Sequence, residues 1–310
     1  MKGKPDNLSA SVLARLRNVA RAKNTDYQFI LRRYAIERLL LRLSISPYRD
    51  QFVLKGAMLF TAWLEDPFRP TQDLDLLGYG DPAASSIEAA FRAVCQTQTE
   101  DDGLLFDTEG LNVALIREDQ QYGGIRVKTK AFLAKTQIPV QVDIGFGDAI
   151  TPAAQELEFP SLLSPEGPRL KAYSKETVVA EKLQAIVALG RANSRMKDFY
   201  DLLVLSRLFE FEGATLATAI RATFDRRGTI VPATPPDGLS QEFATDHDKQ
   251  RQWTAFARRE PLLIAPPSLG ETINAIASFV LPPIMAAASG AGFDFRWDDG
   301  GPWEARGAGQ

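Results

Sequence analysis

The chain has 310 residues, of which 45% are hydrophobic and 24% charged, a composition typical of soluble globular proteins with room for two modest domains. Its single cysteine, Cys95, excludes an internal disulfide and a cysteine-based zinc site, and we expect it to be a core residue. Its single histidine, His247, lies in a polar stretch, which argues against a histidine-based triad. We find neither a long apolar run nor the apolar core of a signal peptide, and therefore expect a cytoplasmic protein with no membrane segment.

Positive charge is concentrated at the N-terminus. Residues 1–50 hold 11 Lys and Arg against 4 Asp and Glu, whereas the whole chain has a net charge of −3. The cations that fall on two predicted helices are Arg15, Arg17, Arg21, Lys23, Arg32, Arg33, Arg38 and Arg42. They could neutralise a nucleic-acid backbone or form a solvated helical surface, and the sequence leaves both interpretations open.

In chain order, the first half alternates helices with strands. The periodicity of apolar residues predicts helices over about 9–22, 26–43, 57–64 and 85–96, and strands over about 51–54, 73–77, 111–117, 124–133 and 138–146. The last three strands follow one another closely, which indicates an antiparallel meander. A glycine turn, Lys55-Gly56, separates the first strand from the helix that follows it.

From about residue 173 the pattern becomes helical. Ser174 is a predicted N-cap of a helix that ends at Gly190. Further helices are predicted over about 194–209, 250–259 and 269–281. We therefore expect an α+β fold, a sheet flanked by helices with a helical C-terminal part. Its predicted divisions are basic N-terminal helices (1–50), a core (51–165), a helical domain (166–290) and a flexible tail (291–310).

Two carboxylates, Asp73 and Asp75, lie in an apolar predicted strand. Because side chains alternate between the faces of a strand, both should project from one side, about 7 Å apart, while Leu74 and Leu76 enter the core. Asp143, on a later strand, would be costly to bury unpaired and should have a cation or a hydrogen-bonding partner. Three carboxylates in a small space would attract Mg²⁺ or Mn²⁺, and Asp143 could then deprotonate an attacking hydroxyl. Alone, an Asp-x-Asp pair is a weak signal, since surface loops also contain it.

Lys182 lies within a nearly continuous apolar helix. If buried, its ammonium group would need an anionic partner, such as an incoming phosphate or Asp198. Alternatively, Lys182 is exposed beside Glu181. Asp198 and Asp201, three residues apart on one helix face, could orient Lys182 or a nucleotide base, although Asp198 would also suit the N-terminal end of a helix dipole.

Five ordered segments together resemble the AbiEii/AbiGii-type nucleotidyltransferase toxin family over about residues 25–210. They are 52–60, Arg69-x-Thr71-x-Asp73-Leu74-Asp75, 142–148, Glu181-Lys182-Leu183 and Arg195-x-Lys197-Asp198-x-Tyr200-Asp201-Leu202. The resemblance implies a polymerase-β-like nucleotidyltransferase fold, with residues 51–165 as the nucleotidyltransferase core. It also implies a toxin of a toxin–antitoxin pair that transfers nucleotides from NTP to the 3′ end of tRNA.

The resemblance also implies roles for individual residues. By position, Asp73 and Asp75 correspond to the metal-binding pair, Asp143 to a third acid, and Lys182 to the lysine that binds nucleotide phosphate. Asp198 corresponds to the last catalytic carboxylate, with Asp201 as the alternative. Nucleotide contacts would come from Lys55, Gly56, Ala57, Arg69, Lys182 and Asp201. The family commonly shows Lys-Gly-Gly-(Ser/Thr), whereas Ala57 and Met58 stand here, so the hydroxyl that would touch the terminal phosphate is missing.

Three functions stay open at this point. The first is an Mg²⁺-dependent nucleotidyltransferase toxin that acts on an RNA, specifically tRNA, and has a cognate antitoxin that is a DNA-binding regulator. The second is a transferase that modifies a protein hydroxyl of that antitoxin. The third is a degenerate nucleotide-binding interaction protein, for which the missing hydroxyl at Met58 is the motive.

Overall fold

The computed structural model describes residues 5–64, 71, 73–116, 123–259 and 262–306. Arg69, one of the expected nucleotide contacts, lies outside them. The chain divides into two compact units. The first unit comprises Met1–Gly147 and Gln155–Ala172, and the second comprises Asp148–Ala154 and Tyr173–Gln310.

The first unit contains four α-helices and eight strands within its described residues. They are α1 (Pro5–Ala22), α2 (Tyr27–Ile45), β1 (Phe52–Lys55), α3 (Met58–Trp63), β2 (Leu74–Gly78), α4 (Ala84–Gln96), β3 (Leu104–Phe106), β4 (Asn112–Ile116), β5 (Gly124–Leu133), β6 (Thr136–Phe146), β7 (Gln155–Glu158) and β8 (Arg169–Ala172). Prediction missed β3, β7 and β8, because strands of three or four residues are too short for a clear alternation. Strand β2 begins one residue later than predicted, so Asp73 immediately precedes it.

The strands form one mixed sheet in the order β3-β5-β6-β2-β1-β8-β7, with β4 also paired to β5. At its centre β2 runs parallel to β6 and antiparallel to β1. The predicted meander is confirmed, since β5 pairs antiparallel with both β4 and β6. One sheet face is apolar and buried, as Leu54, Leu76 and Ile144 show. Cys95 is buried too, and its burial raises the pKa of the thiol to about 12.

Helix α2 corrects the picture of a basic N-terminal surface. Arg33, Arg38 and Arg42 are buried, whereas the cations of α1 are exposed. Arg42 forms an ion pair of 2.8 Å with Asp102, and both side chains are less than a tenth exposed. Arg38 pairs with Glu37 at 2.6 Å. These side chains stabilise the fold and are unavailable to a polyanion.

Replacing Asp102 by Asn should lower the free energy of unfolding by about 3 kcal/mol, because it removes one partner of a buried ion pair. The loss should lie at the low end of the range for such pairs, since Arg42 also donates to the carbonyl oxygens of Arg38 and Leu104. Urea unfolding measures it. Replacing Glu156 by Gln is the control, because its 2.7 Å pair with Arg49 is about half exposed, and its loss should cost under about 1 kcal/mol.

The described residues of the second unit are mostly helical. Its elements are α5 (Lys175–Leu189), α6 (Met196–Leu208), β9 (Phe211–Glu212), α7 (Gly213–Arg226), α8 (Gln241–Thr245), α9 (His247–Arg259), α10 (Leu269–Ser289), β10 (Phe295–Trp297) and β11 (Trp303–Ala305). The predicted Ser174 cap is confirmed, since its side chain accepts a hydrogen bond from the backbone N–H of Thr177. The α+β expectation with a helical C-terminal part is also confirmed.

The expected flexible tail is wrong for residues 295–305. Strand β10 pairs with both β9 and β11, and Trp297 is buried. The centroid of the Trp297 ring lies 5.0 Å from that of the Phe279 ring and 5.4 Å from that of the Trp303 ring. The sequence analysis overlooked the aromatic residues that lie between the glycines of this segment. A Trp side chain can bury a large apolar area, and this burial offsets the entropy cost of ordering a glycine-rich segment.

Helix α10 is long and apolar enough to cross a membrane by length and composition alone. Half of its apolar window is buried within the protein itself, including Ile276, Phe279, Val280 and Ile284. It also contains Pro282 and Pro283. These features are those of the core helix of the second unit.

Candidate active site

Four charged residues form a row across the central strands of the first unit. Lys55 on β1 pairs with Asp75 on β2, Asp75 pairs with Asp143 on β6, and Asp143 pairs with Arg126 on β5. Residues that pair laterally in a sheet project from the same face, about 5 Å apart. The row therefore places two carboxylates in the middle of one sheet face and a cation at each end.

Arg126 holds the Asp143 carboxylate through both of its oxygens. The guanidinium Nε donates to Oδ1 at 2.8 Å, and Nη2 donates to Oδ2 at 2.7 Å. This confirms the prediction that Asp143 needs a cation or a hydrogen-bonding partner. Arg126 itself was not identified from the sequence. Because both carboxylate oxygens are engaged, the geometry supports a role for Asp143 in holding Arg126.

The Gly56 turn brings backbone against the Asp75 carboxylate. Gly56 has a φ of +72°, and a Cβ at this position would overlap Oδ2 of Asp75. Position 56 therefore requires glycine for two reasons, its backbone conformation and the close approach of Asp75. Ala57 precedes α3 without a side-chain cap, and Met58 is buried.

Replacing Gly56 by Ala should lower the rate of a reaction that depends on the Asp75 carboxylate roughly 100-fold. The new methyl group would displace Asp75, and catalysis is sensitive to shifts of about 1 Å. Gly80→Ala is the matched control. Gly80 also has a positive φ, +94°, but nothing lies within 4 Å of a Cβ there. Both variants should lose stability through backbone strain, and only Gly56→Ala should lose turnover. Equal loss of turnover in the two would contradict a specific contact with Asp75.

Asp73 is the second member of the carboxylate pair proposed from the sequence. Asp73 and Asp75 are both half-buried, while Leu74 and Leu76 are buried, as the alternation predicts. The Thr71 hydroxyl donates to the Asp73 carbonyl oxygen at 3.4 Å. Among the described residues, no three His, Cys, Asp or Glu side chains form a group that could hold a metal ion. A metal here would depend on two carboxylates, with waters and substrate oxygens completing its shell.

Lys182 lies at the centre of a buried ionic cluster in the second unit. Its Nζ is 2.5 Å from Oδ2 of Asp201 and 3.1 Å from Oδ1 of Asp198, and its side chain is 12% exposed. The other oxygen of Asp198 accepts a hydrogen bond from Nε of Arg195 at 2.6 Å. The alternative in which Lys182 is exposed is therefore wrong. Both candidate acids contact the lysine.

A second network in the same unit was missed by the sequence analysis. Arg227 Nη2 lies 3.0 Å from Oδ1 of Asp148 and 2.9 Å from Oε1 of Glu181. The Tyr173 hydroxyl donates toward the same two carboxylates at 3.4–3.5 Å. Asp148 lies in one of the five segments that resemble the nucleotidyltransferase family, whereas Arg227, which directly follows α7, lies in none of them.

The expected site residues thus fall into two sets. The first unit brings together Lys55, Gly56, Asp75 and Asp143, with Ala57 and Asp73 beside them in sequence. The second unit brings together Lys182, Asp198 and Asp201. His247 is an exposed surface residue, as the sequence indicated.

Comparison with known proteins identifies a family. The family described as "Nucleotidyl transferase AbiEii toxin, Type IV TA system" matches residues 38–275. No curated protein matches the sequence. The crystal structure of JHP933 from Helicobacter pylori aligns with a TM-score of 0.48 and 14% identity, over 85% of this chain and 91% of that chain. A candidate nucleotidyltransferase from the same organism aligns with a TM-score of 0.48 and 15% identity, over 85% of this chain and 94% of that chain.

Proposed function

We propose that this chain, which belongs to the AbiEii family of nucleotidyltransferase toxins from type IV toxin–antitoxin systems, transfers NMP from an NTP to the 3′ end of a tRNA. The observation that carries this proposal is the Asp75 carboxylate, which lies against the Gly56 turn in the middle of the charged row. A glycine turn lets backbone approach a phosphate, and an adjacent carboxylate can hold the metal ion that the phosphate needs.

Asp73 and Asp75 are the residues that would hold Mg²⁺ or Mn²⁺. They offer hard oxygen ligands, and both are half-buried on the polar side of their segment. Mg²⁺ is usually bound by one or two carboxylates together with waters and substrate phosphates, so a pair suffices. When bound, the ion neutralises phosphate charge and lowers the pKa of an attacking hydroxyl.

The proposed transfer exchanges one bond to the α-phosphorus for another, and charged side chains bind the phosphates. The hydroxyl oxygen of the acceptor bonds to the α-phosphorus of the NTP, the bond from that phosphorus to the bridging oxygen breaks, and pyrophosphate leaves. The hydroxyl proton passes to water. Lys55, with the backbone of Gly56 and Ala57, binds the phosphates of the NTP. In the second unit, Lys182 matches by position the lysine to which the family resemblance assigns nucleotide phosphate. Asp198 and Asp201 hold the lysine ammonium group in position.

Binding the phosphate backbone of the tRNA acceptor requires exposed cations. On helix α1 these are Arg15, Arg17 and Arg21, and Lys23 directly follows the helix; all four are exposed, and they replace the larger set suggested by the sequence. We place the protein in the cytoplasm, where tRNA and a cognate antitoxin that regulates transcription would both be present.

Incubation of the purified chain with labelled NTPs, total tRNA and Mg²⁺ or Mn²⁺ tests the proposal. Label should appear at the tRNA 3′ end, and a periodate-oxidised tRNA, which lacks the 3′ diol, should accept none. Mass spectrometry of a co-expressed antitoxin tests the competing assignment, in which a protein hydroxyl is the acceptor. Absence of label on tRNA with every NTP and both metals would overturn the proposal.

A further inference from the structure

Arg126 lies at the end of the charged row that is farther from the Gly56 turn. Along the sheet the order is β5, β6, β2 and β1, so Arg126 is two strands from Asp75, on the side opposite to Lys55. At the usual strand spacing this is about 10 Å. The Arg126 side chain is 37% exposed, and that of Asp143 is 20% exposed. Arg126 is therefore accessible to a ligand while its carboxylate partner holds it.

The geometry of phosphoryl transfer decides which ligand Arg126 can meet. The attacking and leaving oxygens lie roughly in line on opposite sides of the phosphorus. If the leaving pyrophosphate lies at the Gly56 turn on β1, the attacking hydroxyl must approach from the side of β6 and β5. An RNA strand that presents its 3′ hydroxyl from this side carries its last phosphates past Arg126.

We propose that Arg126 is an acceptor-binding residue that contacts a backbone phosphate near the 3′ end of the RNA, and that Asp143 is the residue that positions it. This inference rests on the proposed function, since it takes the nucleotide to lie at the Gly56 turn. It assigns Asp143 a task other than metal ligation or proton abstraction.

The chemistry of the pair fits this assignment. Asp143 accepts from Nε and Nη2, which fixes the plane of the guanidinium. Arginine recognises phosphate through a rigid fork of donors, so a fixed plane reduces the entropy lost on binding. Lysine has the same charge without the fork, and Arg126→Lys should therefore recover only part of the affinity.

The test measures binding of 5′-labelled total tRNA and, separately, of each NTP with Mg²⁺, for the full chain and for Arg126→Gln. We expect tRNA affinity to fall about tenfold, with the salt dependence of log K shallower by roughly 0.7–1, and NTP affinity to stay unchanged. Arg92→Gln is the matched control, because Arg92 is 38% exposed and pairs with Glu88 at 2.8 Å in the same unit. The unfolding midpoint of each variant identifies any loss that reflects misfolding.

Asp143→Asn tests the positioning role. It should lower tRNA affinity by less than Arg126→Gln, and adding it to Arg126→Gln should cause little further loss, since the two residues act as a unit. An additive double variant, an equal fall in NTP affinity, unchanged tRNA affinity in Arg126→Gln, or no tRNA binding by the unaltered chain would each overturn the inference. If tRNA binding depends on Arg126 but no label is ever transferred, the proposed function fails, and Arg126 is identified as a tRNA contact without a role in transfer.

Discussion

Replacing Asp75 by Asn should reduce nucleotide transfer about 1,000-fold while leaving the protein folded. Asparagine has nearly the shape of aspartate, so the packing against Gly56 is kept. The charge is lost in the middle of the row, where it pairs across the sheet with Lys55 on one side and Asp143 on the other. A metal contact contributes several kcal/mol to transition-state stabilisation, and roughly 4 kcal/mol corresponds to this factor.

Single-turnover transfer of labelled NMP to tRNA measures the Asp75→Asn effect, and growth of cells that express the variant measures its toxicity. Asp50→Asn is the control, since its pair with Lys171 lies on the surface of the same unit and is largely exposed. A degenerate protein that acts only by binding would keep its effect on growth in Asp75→Asn. Such a result would contradict catalysis as the basis of toxicity.

The pairing of Arg126 with Asp143 could have been predicted from the sequence if the turn between β5 and β6 had been located. Strand β5 was predicted with its observed bounds, Gly124–Leu133, but β6 was predicted to begin two residues late. The two strands form a hairpin whose connection is Ala134-Lys135, with Ala134 at a positive φ of 53°. Residues that pair across a hairpin are equidistant from its turn, so locating this turn would have identified Arg126 as the partner. Neither Ala nor Lys is a usual residue for such a turn, and no local signal marked it.

The buried arginines of α2 were not predictable in the same way. A helix with Arg at four positions among apolar residues has the pattern of an amphipathic surface helix. Whether such a residue is exposed depends on a partner elsewhere in the chain, and Asp102 is 60 residues from Arg42. The two acids beside Lys182 were easier to predict, because helical spacing alone puts Asp198 and Asp201 on one face of α6.

Replacing Lys182 by Met should abolish transfer and also lower the free energy of unfolding by about 3–5 kcal/mol. Asp198 and Asp201 are almost fully buried, and the lysine Nζ lies within 3.1 Å of both. Removing one partner of a buried ion pair leaves an uncompensated charge in a medium of low dielectric constant. Urea unfolding measures the change in stability. Arg251→Met is the control, because its pair with Asp248 is at least 70% exposed and should contribute little.

The double variant Lys182→Met with Asp201→Asn separates the two losses. Asparagine carries no charge, so the double variant should recover much of the stability that Lys182→Met loses, while Asp198 keeps its 2.6 Å contact with Arg195. It should recover no activity, because an amide and a thioether cannot neutralise a phosphate. Recovery of transfer together with stability would show that Lys182 only stabilises the second unit. Continued loss of transfer in a protein of restored stability would show that the reaction needs the charged groups of this pair themselves, the Lys182 ammonium group or the Asp201 carboxylate.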